Sequence, residues 1–292
     1  MSSIYSVLPI NSWLGESPLW DVEQQLLYWV DILGQKIHSL DPVLEKLTTY
    51  PLTEKITSIA LRKGGGLVAT SFKGFMLFTF ETGKLTPLVE VEKDLPNNRF
   101  NDGKCDRSGR FWAGTMDKVH WDKPTGTLYS LQPNRIALAT EKNGVCFNGI
   151  AWSLDNRTMY VIESFRYAIF AYDFDLPSGT LCNKRTFLSF SPEARGFPDG
   201  MTVDSEGSIW CALGVLGKIL RIDPKGQITQ TFSFPVPGIT SCTFGGKNLQ
   251  TLYVTSSREN MTDADLQKYP LSGNLFSIET HVKGLQEPFV HI

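Results

Sequence analysis

A short β-rich run carrying aromatic or branched residues recurs six times along the chain: Leu27-Tyr28-Trp29-Val30, Leu67-Val68-Ala69-Thr70, Phe111-Trp112-Ala113-Gly114, Met159-Tyr160-Val161-Ile162, Ile209-Trp210-Cys211-Ala212 and Leu252-Tyr253-Val254-Thr255. Turn residues precede most of them, as in "RKGGG", "DRSGR", "SLDNR", "DSEGS" and "GGKNL". A second strand that closes on another turn follows most of them, as in "KIHSLDP", "TLYSLQPN" and "KILRIDPKG". No stretch carries a convincing helical period, so the pattern predicts an all-β chain. A repeat of about 40 to 50 residues with roughly four strands per unit is the mark of a β-propeller. Six units predict a six-bladed propeller of four-stranded antiparallel blades around a central channel, spanning residues 1–292 as one domain. A pair of β-sandwiches would show neither the sixfold regularity nor the absence of a linker near the middle.

Composition removes several classes of function. Among 292 residues the net charge is −2, and the isoelectric point is near 6.1. Neither a basic surface nor a charged tail for nucleic acid is expected. The opening "MSSIYSVLPINSWLGE" lacks a cationic segment followed by a long apolar one, and no long apolar run follows elsewhere. Neither export nor membrane insertion is therefore expected. Cys105, Cys146, Cys182, Cys211 and Cys242 are odd in number and widely spaced, which fits reduced thiols and a cytoplasmic location. Composition leaves the oligomeric state open, with a monomer slightly favoured.

Propeller geometry turns the repeat into chemistry, because the innermost strand of each blade lines the channel. The strand before each run offers a polar residue: Glu16, Ser58, Asn101, Asn148, Asp199 and Ser241. Four of these stand five residues before a turn-opening Asp or Ser, namely Asp21, Asp106, Ser153 and Asp204. Asn148-Gly149 and Asp199-Gly200 could instead be hairpin tips, but Asn143-Gly144 is the better turn, and a glycine after the polar residue can let a ligand approach the backbone. Two carboxylates and an amide oxygen converging in a channel repel unless a cation sits between them. Glu16, Asn148 and Asp199 offer oxygen only, which favours Ca²⁺, Mg²⁺ or Mn²⁺ and leaves Zn²⁺ and Fe²⁺ open. Three protein ligands leave room for water and substrate, as in a catalytic site.

Other chemistries find little support. Gly-x-Ser-x-Gly and His-Glu-x-x-His are absent, and the histidines His38, His120, His281 and His291 are scattered, with His120 alone in a channel-side loop. The glycine clusters at 64–66 and 244–248 read as turns rather than phosphate loops. Trp20, Trp29, Trp112, Trp152 and Trp210 read as blade packing in register.

The segments "GESPLW", "NNRFNDGKCDRSGRFWAGTMD", "NGIAWSLDNRTMYVIE", "FPDGMTVDSEGSIWCAL" and "TSCTFGGKNLQTLYVTSSREN" resemble the senescence marker protein, regucalcin and gluconolactonase family, in order over roughly residues 14–280. The resemblance implies a six-bladed propeller that hydrolyses sugar lactones with one divalent metal in its channel. It implies Glu16, Asn148 and Asp199 as metal ligands, and Arg99 and Asn101 as substrate contacts. Animal members carry a glutamate after A-G-T-M where this chain reads Asp117-Lys118-Val119, so that contact does not carry over. The segment "ADLQKYPLSGNLFSI" is more similar to bacterial arabinono- and xylonolactonases. The expected reaction is hydrolysis of a sugar lactone on a polarised carbonyl, with Asp199 as general base and Arg99 and Asn101 orienting the ring. Alternation along a strand predicts that Asn101 and Asp102 face opposite ways. Asp102 then reads equally well as a buried structural partner, and Arg258 as a substrate contact or an ion-pair partner. A calcium-binding regulator or a scaffold propeller without catalysis is the alternative, and an aryl- or phosphotriester hydrolase a third.

Overall fold

The computed structural model of the chain describes residues 3–194 and 196–292. Among the described residues the strands assort into six four-stranded antiparallel sheets. Five are built from consecutive strands, beginning with the inner strands Gly15–Asp21, Ile56–Leu61, Asn98–Cys105, Phe147–Trp152 and Phe197–Val203. The sixth joins Ile239–Gly245, Thr251–Ser256 and Leu275–Glu279 to the N-terminal strand Ile4–Leu8, which pairs on its outer edge. Each inner strand packs against the inner strands of both neighbours, and the sixth meets the first, so the ring closes. The molecule is a six-bladed β-propeller, and the recurrent apolar runs are the second strands of the blades.

These runs are apolar on both faces because both are covered by the blades on either side. Leu67, Val68 and Ala69 are wholly buried, as are Phe111, Trp112 and Ala113. Closing the ring with an N-terminal strand in the last blade ties the two ends of the chain together through Ile4↔Ile278 and Tyr5↔Ser277.

The turns from inner to second strand, at the bottom of the ring, explain the acidic residues that follow the channel positions. Asp106 accepts from Ser108 N at 2.8 Å, from Arg110 Nε at 2.6 Å and from Trp112 Nε1 at 2.7 Å. Asp204 repeats the pattern with Ser208 N at 2.9 Å, Trp210 Nε1 at 2.9 Å and Arg221 Nε at 2.8 Å. All five singled-out tryptophans are buried, and they fall into two equivalent pairs and one singleton. Trp112 and Trp210 stand on second strands opposite Lys104 and Thr202, Trp20 and Trp152 on inner strands opposite Leu27 and Met159, and Trp29 stands alone, so the expectation of one common register holds only within each pair. The chain also departs from pure β. Asp263–Lys268 is a short α-helix closed by a Thr262/Asp265 capping box, too brief to show a helical period in sequence.

Candidate functional site

Every inner strand is interrupted where its polar residue stands. Register slips between Glu16 and Leu19, Ile56 and Ser58, Phe100 and Gly103, Phe147 and Ile150, Pro198 and Met201, and Ile239 and Ser241. Each slip is a β-bulge, one extra residue on the inner strand that re-aims a side chain. Counted from the pairing opposite the first residue of each apolar run, Glu16, Asn101, Asn148 and Asp199 share one position, filled by Thr57 and Thr240 in the other two blades. The expected common register therefore holds for four residues and needs correcting for two. Ser58 and Ser241 stand one place later. Ser58 is held by Thr70 Oγ1 at 2.6 Å, and Ser241 lies lower in the channel. In the first blade the bulge falls one place further along, directly after Glu16, where Ser17 adopts a left-handed φ of 49°. The Ser17 hydroxyl turns toward blade 2 and accepts from Ile59 N at 3.0 Å.

The bulges also overturn strict alternation at Asn101 and Asp102. Asn101 lines the upper cavity, and Asp102 lies in the channel beneath it. Neither Asn148 nor Asp199 is a hairpin tip, since both lie within strands and neither has a positive φ. Their glycines serve packing. A Cβ on Gly149 would come within 2.7 Å of Asp199 O and Met201 N in the next blade, and one on Gly200 would collide with Ser241 Oγ. The backbone that approaches so closely is the neighbouring inner strand rather than a ligand.

At the top of the channel a cavity is lined by Glu16, Arg99, Asn101, Asn148, Asp199 and Glu259 on its polar side. Asn148 Nδ2 donates to Asp199 Oδ1 at 2.6 Å and to Ser164 Oγ at 3.0 Å. Ser164 in turn donates to Pro198 O at 2.7 Å, which fixes the amide across two blades. With its nitrogen engaged, Asn148 Oδ1 is buried without a hydrogen-bond partner among the described residues. An orphaned buried acceptor costs about 1–3 kcal/mol. Burial, then the nearby charges of Asp199 and Asp102, push the Glu16 carboxyl well above its usual range. Burial and Asp102 do the same to Asp199, against the opposing bond from Asn148. Asp102 itself is raised to about 6 by burial, in spite of its bond from Gly103 N.

Two acids held in a repelling arrangement beside an unpartnered amide oxygen are what a hard cation would relieve. The residues present thus fit a divalent ion. Among the described residues no group of three or more His, Cys, Asp and Glu side chains is placed to hold a metal, and the candidate set escapes that pattern because one of its three members is an amide.

Arg99 Nη1 donates to Phe100 O at 2.8 Å and to Asn101 Oδ1 at 2.9 Å. Asn101 Nδ2 donates to Phe147 O at 3.0 Å, so both side chains are fixed before any ligand arrives. The ten residues "NNRFNDGKCD" therefore descend the channel from top to bottom. Asn98 braces the 92–125 loops through Glu92 and Thr125, each at 2.9 Å. Arg99 and Asn101 face the cavity, Asp102 lies under it, and Lys104 pairs with Glu287 at 2.7 Å where the C-terminal segment crosses the bottom.

Several residues find other roles. Arg258 is structural, donating from Nε to Ser272 O at 2.8 Å and from Nη2 to Asn11 Oδ1. Asp117 folds into its own loop, accepting from Val119 N and His120 N at 2.8 and 2.9 Å. His120 is exposed and lines no part of the cavity. Sequence reasoning missed Glu259, Trp121, Phe165 and Phe197, all of which line it. Only the adjacency of Glu259 to Arg258 in "TSSREN" carried a signal. Larger hollows lie at the bottom beside Arg62 and between Phe72 and Lys118, but neither gathers buried acids, and the chemistry points to the channel.

The SMP-30/Gluconolactonase/LRE-like region matches residues 14–258. Regucalcin of Oryctolagus cuniculus is 38% identical over 293 residues, with 98% of each chain covered. The solved structure of a calcium-binding protein, regucalcin from Agrobacterium tumefaciens, has a TM-score of 0.94 at 27% identity, covering 100% of this chain and 98% of that one. The structure of a luciferin-regenerating enzyme has a TM-score of 0.93 at 31% identity, with 100% of both chains covered. A channel with these bulged polar positions, a family match over most of its length and a relative so similar end to end lead to one conclusion: the chain belongs to the SMP-30/gluconolactonase/LRE-like family.

Proposed function

We propose that this protein hydrolyses a sugar lactone to the open aldonic acid with the help of one divalent cation held by Glu16, Asn148 and Asp199. The observation that carries the reading is the meeting of two raised carboxyls and the orphaned Asn148 oxygen in one cavity. The family's inclusion of gluconolactonases supports it. When bound, the cation supplies Lewis-acid polarisation of a carbonyl and acidifies water.

The chain's own residues do the rest. Asp199 Oδ1 is engaged by Asn148, and the second oxygen takes the proton of the attacking water. In the cation-free site burial holds Asp199 above an ordinary carboxylate; a bound cation would oppose that shift and keep the carboxylate ionised, able to accept the proton. As the water oxygen bonds the carbonyl carbon, the ring C–O bond breaks, and the proton on Asp199 passes to the departing ring oxygen. Arg99 and Asn101 hydrogen-bond the ring hydroxyls and hold the carbonyl in line for attack. Their mutual bond at 2.9 Å lowers the entropy cost of that clamp.

Acid release from a panel of aldonolactones, with and without chelator and with single divalent ions restored, tests the reading. Turnover that stops with chelator and returns with one ion supports it, whereas undiminished turnover without any ion contradicts it. A relative described as calcium-binding favours a second reading, in which the same oxygen set holds calcium without catalysis. Calcium binding with no acid release from any lactone would select it.

A further inference from the structure

The cavity is lined by two kinds of residue: beside the polar set of Glu16, Arg99, Asn101 and Asp199 stand Met116, Trp121, Phe165 and Phe197. Trp121 stacks on Phe165 with ring centroids 5.6 Å apart and planes inclined by 20°. Phe165 in turn lies 5.3 Å from Phe197, so the indole rests on a braced aromatic stack. Its N–H is already satisfied by Lys118 O at 3.1 Å. The loop that presents it is pinned by Lys118 N to Asn97 O at 2.9 Å, by Lys118 Nζ to Pro96 O at 2.9 Å, and by the Asp117 turn. Even so, Trp121 remains 43% exposed. A large indole held at the mouth of a polar cavity with its only donor spent offers a ligand its π surface and little else. Asp117 is turned into its own loop.

We infer that Trp121, braced by Phe165, is the platform on which the C–H face of an aldonolactone ring lies while its hydroxyls face Arg99, Asn101 and Glu259. The inference rests on the lactonase reading and adds to it a specificity-determining residue. It selects rings with one face rich in C–H bonds and their hydroxyls on the other. The Trp121 side chain carries no group that takes part in the reaction, so it acts on binding rather than on bond breaking.

The test measures the affinity of gluconate and arabinonate by calorimetry with calcium present, beside kcat and KM for the matching lactones. Wild type is compared with Trp121→Ala, Trp121→Leu and Trp121→Phe. Loss of one aromatic face predicts a roughly tenfold weaker Kd and higher KM for the Ala and Leu variants, with kcat within about twofold. The Phe variant is expected to stay within about threefold of wild type, which separates a π surface from mere apolar bulk. Equal affinity in all four proteins overturns the platform and leaves the lactonase reading standing. Wild type that neither binds an aldonate nor opens a lactone overturns the lactonase reading, and the platform with it.

Discussion

The two ends of the central channel are made by the same six strands and differ in how far their polar groups are satisfied. At the bottom, Asp106 accepts from Ser108 N, Arg110 N, Arg110 Nε and Trp112 Nε1, and Lys104 closes on Glu287. At the top, Asp199 and Asp102 help burial raise Glu16, Asp102 helps burial raise Asp199, and Asn148 Oδ1 has no partner among the described residues. Residues five apart on one strand thus have opposite energetics. A satisfied acid holds the blade together, and an unsatisfied one stores an affinity for something the chain does not contain.

The sharpest way to break this contrast is to neutralise the upper acids. Asp199→Asn and Glu16→Gln are expected to lower lactone turnover by about a thousandfold or more, measured as acid release at saturating cation. Both remove a buried repulsion, so the melting temperature in chelator should hold or rise. A fall comparable with that of a core mutation would show these acids to be structural.

At the lower end the expectation reverses. Asp106→Asn breaks a buried pair whose partner Arg110 is also buried, and should cost about 3 kcal/mol by denaturant unfolding. The fraction that remains folded should keep kcat within about threefold. A selective loss of kcat at unchanged stability would erase the distinction between the two ends.

Acidity supplies a third, smaller effect with a definite sign. Glu16, Asp199 and Asp102 have raised values in the folded protein, the last at about 6. The folded state therefore retains protons that the unfolded chain has shed from about pH 4 upward. The cation-free protein loses stability as pH climbs from that value through about 6 and beyond. Cation binding displaces those protons, so its affinity rises with pH across the same window. Melting temperatures over a pH series, with chelator and with cation, check both slopes. Least of all should be felt from Lys104→Met, which removes a charge that holds Asp102 down. A small upward shift in the acidic limb of the pH profile is expected, with kcat changed less than about threefold.

How much of this was legible follows from where each feature is encoded. The sixfold ring shows in sequence because every second strand is an apolar run between turn residues, as Phe111–Asp117 and Ile209–Gly214 illustrate. The three oxygen donors show because a polar residue in an otherwise apolar inner strand is conspicuous. The bulges do not, since an extra residue leaves composition and spacing almost unchanged. They made Asn101 and Asp102 look like opposite faces, and gave Ser58 and Ser241 a register they do not share with the other four. The upper wall was illegible for another reason. Trp121, Phe165 and Glu259 come from loops and loop-borne turns without period, and only the folded ring brings their distant positions to one mouth.

The central claim is that Glu16, Asn148 and Asp199 grip one divalent cation at the top of the channel. Anomalous diffraction from a crystal grown with Mn²⁺ tests it most directly. The account predicts a single strong peak within bonding distance of a Glu16 carboxylate oxygen, Asn148 Oδ1 and an Asp199 carboxylate oxygen. A channel without a peak, or manganese bound only elsewhere, would contradict it.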